Sequence, residues 1–110
     1  MEEDVLIVRI YLSEADGGRR TNLMREIVQL LHDQHRVRGL TVFRGIAGFG
    51  TSGEVHAADL LHLTADLPLV IEFFDQPAAA QAAIALVQQR VPSNHIVAWP
   101  GSAMRRAPDS

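Results

Sequence analysis

From Leu67 to Phe74 both alternating faces of the chain are apolar, with Glu72 the exception. A strand reading of this run is required by its β-branched and aromatic content, and Pro68 is tolerated near its start. Such a strand needs cover on both sides. That need constrains the rest of a 110-residue chain. A domain this small has a limited core, so association with other chains is one way to hide the remaining apolar surface.

The other elements follow from periodicity. Val5 to Leu12 alternates as a strand, with Leu6, Val8, Ile10 and Leu12 on one wholly apolar face. Its second face carries Val5, Ile7, Arg9 and Tyr11, so it meets something partly polar. Ser13 to Arg20 reads as a loop around Asp16-Gly17-Gly18. Leu23, Ile27, Leu30 and Leu31 then fall on one helical face, with Thr21 or Asn22 as the expected cap and a helix near 21–36. Gly39 marks the exit into a second strand near 39–48, interrupted by Gly45. Gly48 to Leu63 is a long connection, with a helical turn expected over 57–62, and a connection of this length points to a functional or a mobile segment.

After the 67–74 strand, Gln76 and Pro77 open a second helix reaching about residue 91, with Ala80, Ile84, Val87 and Val91 inward. A short last strand is expected at 95–99, and the expected organisation is a single domain over 1–99 followed by a loose tail over 100–110. The order β-α-β-β-α-β predicts an α+β, ferredoxin-like fold: a four-stranded antiparallel sheet with two helices on one face. The helices can cover one side of the 67–74 strand. Its other side is expected to pack against further subunits.

Composition narrows the function. A formal net charge of −3 argues against a nucleic-acid partner held through phosphates. All ten basic residues are arginine, which a GC-rich coding bias explains without any special chemistry. With no cysteine, disulfides, thiolate metal sites and cysteine nucleophiles are excluded together. The acidic start and the shortness of every apolar run lead to the expectation of a cytoplasmic protein. There is no nucleophile elbow, Walker motif or metalloprotease motif, so the expectation is a protein that is not an enzyme.

Three blocks carry a family resemblance. Gly39-Leu40-Thr41-Val42, Gly48-Phe49-Gly50 and Leu67-Pro68-Leu69-Val70-Ile71-Glu72 resemble the second strand, loop entry and third strand of PII signal-transduction proteins. A closer match, to the PII-like family called domain of unknown function 190, is suggested by Arg44-Gly45-Ile46-Ala47-Gly48-Phe49-Gly50, Val55-His56 and Leu63-Thr64-Ala65-Asp66-Leu67-Pro68. The resemblance spans about residues 5–98. It implies a homotrimer that binds a small anionic metabolite between subunits, adenine nucleotides being candidates. A long loop, here residues 49–63, would report the ligand to a partner such as a membrane transporter or an enzyme. The chain also departs from true PII proteins. Arg90-Val91-Pro92-Ser93-Asn94 stands where they carry a Gly-rich phosphate loop, no tyrosine lies in the long loop, and Leu69 replaces a basic residue. No cofactor follows from the resemblance.

The candidate ligand residues are Arg44, Gly45, Gly48, Phe49, Gly50, Thr51, Ser52 and His56. Gly45, Gly48, Gly50 and Gly53 can let backbone N–H groups approach an anion, or can serve a bulge and turn where the strand leaves the sheet. Thr51 and Ser52 offer hydroxyls. Arg9 and Arg44 sit on strands, where each either holds a phosphate or carboxylate or pairs with Glu72. Arg38 and Arg90, near helix ends, read as solvated. His32 and His35 are three apart on a helix, yet no third ligand is fixed nearby, so no metal is assigned. His56 either contacts the ligand or pins the loop. The leading reading is a PII-like sensor; the alternative is a ligand-free structural or adaptor trimer.

Overall fold

The computed structural model describes residues 2–12, 20–34, 37–49, 55–57, 68–91 and 95–106. The element order is β1 (Glu2–Leu12), α1 (Arg20–Asp33), β2 (Leu40–Arg44), β3 (Ala47–Phe49), β4 (Val55–Ala57), β5 (Leu69–Asp75), α2 (Pro77–Val87) and β6 (Ile96–Met104). Four strands form one sheet in the order β2-β5-β1-β6, and β3 and β4 form a separate two-stranded hairpin. All pairs are antiparallel. The α+β, ferredoxin-like expectation holds, and the strand that is apolar on both sides, β5, lies between β2 and β1.

Alternation sorts the sheet into two faces. Val8, Ile10 and Leu12 of β1 and Leu69, Ile71 and Phe73 of β5 point to the same side, where Ile27 and Leu31 of α1 and Ala80, Ala83 and Val87 of α2 close over them. None of these side chains is more than 3% exposed. The 27/31 and 80/83/87 spacings are the inward stripes of two helices. Ala83, which sequence periodicity had not singled out, lets α2 approach the sheet closely.

Several boundaries differ from expectation, each for a local reason. α1 starts at Arg20, so Thr21 and Asn22 lie within its first turn and do not cap it. At α2, Gln76 is the N-cap and Pro77 opens the helix, where the missing N–H costs nothing. The Gln76 side chain makes no capping hydrogen bond; its carbonyl accepts from the Ala80 N–H at 2.9 Å. The helix stops at Val87 rather than 91 and tightens into a turn in which the Arg90 N–H donates to the Val87 carbonyl at 2.9 Å.

The expected second strand splits in two. Gly45 leaves the ladder, donates its N–H to the Pro68 carbonyl at 2.8 Å, and the chain resumes as β3. Part of the expected long loop is therefore a hairpin, with Ala47, Gly48 and Phe49 opposite Ala57, His56 and Val55. Residue 57, placed at the start of a helical turn by sequence, is strand; 58–62 lie outside the described residues. The last strand does not end at Trp99. It continues through Pro100 to Met104, paired with β1 down to Glu2, so a loose tail beginning at residue 100 is corrected. Proline survives here because β6 is an edge strand with one neighbour.

Candidate functional site

The opposite face of the same sheet carries no described helix. Cross-strand register arranges it in rungs. One rung runs Phe74, Ile7, Trp99; the next runs Thr41, Glu72, Arg9, Val97; the third runs Phe43, Val70, Tyr11. Tyr11, Phe43, Phe74, Val97 and Trp99 are 37–46% exposed, and they account for most of the exposed large apolar side chains among the described residues. Strand and rung spacing put this face on the order of 400 Å² in projection, within the span of the largest patches on soluble monomers, which are often functional.

The middle rung holds the partly polar character that the Arg9 and Glu72 pattern foretold. Arg9 Nε donates to Glu72 Oε1 at 2.7 Å, and the guanidinium lies 5.7 Å from the centroid of the Trp99 ring. Glu72, which accepts that hydrogen bond, and after it the neighbouring Tyr11 hold the guanidinium charged more firmly than usual, against a smaller opposing effect of burial. Of the two readings for Arg9, pairing with Glu72 is the one realised.

A second polar cluster closes the end of the sheet. Asp75, almost buried, accepts from the backbone N–H groups of Arg38 (3.0 Å) and Gln76 (2.8 Å). Arg38 also reaches Asp75 Oδ1 at 3.3 Å and Glu3 Oε1 at 3.0 Å, and it lies 5.7 Å from the Phe74 ring centroid. Gln76 Nε2 donates to Glu3 Oε2 at 3.2 Å, and Arg105 approaches the same oxygen at 3.5 Å. The Gln76 amide first, and then Arg38, hold the Glu3 carboxyl below its ordinary range. Arg38 is thus a clasp joining the α1–β2 connection to β1 and to the end of β5, not the solvated helix-end residue its position implied. Sequence reasoning missed Glu3, Asp75 and Arg105 because their partners come from four separate segments.

The expected ligand residues fall into three groups. Arg44 and Gly45 are described in full: Arg44 ends β2 opposite Leu69 with an exposed side chain, and Gly45 packs on Pro68. A Cβ at Gly45 would meet Pro68 Cγ at 3.3 Å, so this glycine serves close backbone packing. Gly48 and His56 are brought opposite each other across the hairpin, with Phe49 opposite Val55. Gly50, Thr51 and Ser52 lie outside the described residues. Among the described residues there is no group of three or more His, Cys, Asp or Glu placed to hold a metal, and no helix is long and apolar enough to cross a membrane.

Comparison with known proteins gives the family. The model of domain of unknown function 190 (uncharacterized ACR) matches residues 5–102. The chain belongs to this family. A UPF0166 protein of Methanocaldococcus jannaschii is 35% identical over 69 residues, 63% of this chain and 62% of that protein, so the match spans less than two thirds of the curated relative. Among solved structures, CPII from Thiomonas intermedia K12, a nitrogen regulatory PII-like protein bound to ADP, AMP and bicarbonate, superposes with a TM-score of 0.60 at 15% identity, covering 99% of this chain and 100% of that one. The divalent ion tolerance protein CutA1 from Ehrlichia chaffeensis gives a TM-score of 0.58 at 12% identity, covering 97% and 87%. At these identities the shared property is the fold, and it places this DUF190 chain among PII-like and CutA1 structures.

Proposed function

We propose that this DUF190 protein is a PII-like sensor: a homotrimer that assembles through the open sheet face, binds a small anionic metabolite between subunits, and reports it through residues 49–63. The observation that carries this reading is the pairing of one closed and one open apolar face on a single sheet, with a hairpin leaving the sheet beside it. Arg44, which ends β2, would supply a cation beside the hairpin on which Gly48 and His56 lie opposite each other, while Gly45, whose N–H is taken by the Pro68 carbonyl, would shape the turn between them. Gly50, Thr51 and Ser52 would complete the cradle. A PII-like fold neighbour bound to ADP, AMP and bicarbonate supports the ligand class: an anion, with an adenine nucleotide the first to try.

Hydrogen exchange over residues 49–63 tests the reading, measured on the intact protein with and without ADP, AMP, ATP and simple carboxylates. Binding is expected to protect the segment, because new contacts offset the roughly 1–2 kcal/mol per residue of backbone ordering. Gly50→Val should weaken the protection while leaving the assembly intact. If no compound changes exchange, the ligand-free adaptor trimer replaces the sensor.

A further inference from the structure

We infer that Arg9 and Glu72 form a polar key that fixes how copies of this chain seat on one another across the open sheet face. The inference rests on the reading that other copies cover this face, and adds the residues that orient them. The pair occupies the central rung, between Phe74–Ile7–Trp99 on one side and Phe43–Val70–Tyr11 on the other. Apolar residues at 9 and 72 would complete the pattern of the face, so the charges need a reason.

Stability of the single chain does not give one. The Arg9 and Glu72 side chains are 40% and 26% exposed, and a pair that open to water contributes little to folding. Its character changes when apolar surface closes over it. The two charges then lose solvent together, and removing either one strands the other in a desolvated interface. Wrong seatings, which would place an apolar rung over the pair, are penalised in the same way. The guanidinium is already oriented by Glu72 Oε1 at 2.7 Å and by the Trp99 ring. Its N–H groups beyond the one donated to Glu72 remain for acceptors on the incoming copy.

The occupant is a second copy because the central charges cancel. Copies related by symmetry bring the same groups together around the axis, and a face with net charge would repel itself. A foreign basic or acidic partner would be matched by a face of the opposite sign, whereas this one carries one positive and one negative group in contact.

Sedimentation velocity of the full chain, from submicromolar to tens of micromolar, is the test. Arg9→Met and Glu72→Met are each expected to weaken assembly by about a hundredfold, the usual consequence of stranding one member of a buried charge pair. The double variant should recover assembly to within about tenfold of the parent, but with a mixture of masses instead of one. Circular dichroism of the diluted chains should show the fold unchanged in all three. If a single variant fails to fold, the charge swap Arg9→Glu with Glu72→Arg decides: recovery of one discrete mass supports the key, and its absence overturns it. Single variants that assemble like the parent overturn the inference while leaving the covered face intact. A parent that stays monomeric throughout overturns both.

Discussion

The two faces of the four-stranded sheet are built from the same strands by the same alternation, yet they end in opposite states. On the helix side, Val8, Ile10, Leu12, Leu69, Ile71 and Phe73 are sealed by the stripes of α1 and α2. On the other side, Phe74, Trp99, Tyr11, Phe43 and Val97 are equally large and apolar but remain more than a third exposed. Hydrophobicity alone does not distinguish the faces; what does is whether the chain has an element left to cover them. This chain spends both long helices on one side. Among the described residues no element covers the second face, and in the function proposed above other copies of the chain finish it.

The contrast between neighbouring phenylalanines on β5 breaks the comparison most sharply. Phe73→Ala should cost about 3–5 kcal/mol, because it removes a fully enclosed ring and leaves a cavity under α1 and α2. Phe74→Ser, one residue along and facing the other way, loses only partial burial and the Arg38 contact, so it should cost the diluted chain about 1–2 kcal/mol, and yet weaken assembly. Chemical denaturation at submicromolar concentration, read beside sedimentation at higher concentration, separates the two. Similar losses at both positions in the diluted chain would mean that the faces are not distinct.

A smaller effect sharpens the margin of the open face. Glu3 is held below its usual carboxyl value of 4.5 by Gln76 and Arg38. A carboxyl depressed in the folded state stabilises it fully above the unfolded value, and that contribution is lost as pH falls through the folded one. The stability gap between the parent and Glu3→Gln should therefore be constant near neutral pH and close as the solution is acidified below about pH 4.5. Denaturation curves at several pH values read this directly, and a gap that widened on acidification would contradict the clasp.

The body of the fold was legible because its signals are periodic. Alternation in 5–12 and 67–74, and the 3.6-residue stripes at 23–31 and 80–87, each point to one element and one buried side. The polar second face of β1 was legible too, since Arg9 and Tyr11 share a parity. What sequence reading missed depends on register between distant segments. Nothing local tells that Glu3 will meet Arg38, Gln76 and Arg105, or that Pro100 and Gly101 continue a strand instead of ending it. Proline stops a central strand and is tolerated on an edge, and edge position is a property of the assembled sheet. Gly101 has a tertiary reason as well: a Cβ there would lie 2.6 Å from Ile7 Cδ1 on the open face. The hairpin was hidden by its brevity, three residues on each side. For the ligand site, the sequence named residues, and the structure brings Gly48 opposite His56 while assigning Gly45 to packing on Pro68.

The sequence contains a native reporter for the proposed cover of the open face by other copies of the chain. Trp99 is its single tryptophan, and it lies on that face at 37% exposure. Iodide quenching of tryptophan fluorescence, followed as the protein is diluted from tens of micromolar to nanomolar, reads that face and no other. Trp99 should be shielded from iodide with blue-shifted emission when the protein is concentrated, becoming accessible and red-shifted as assemblies dissociate. Full accessibility at every concentration, with no shift in emission, would contradict that cover.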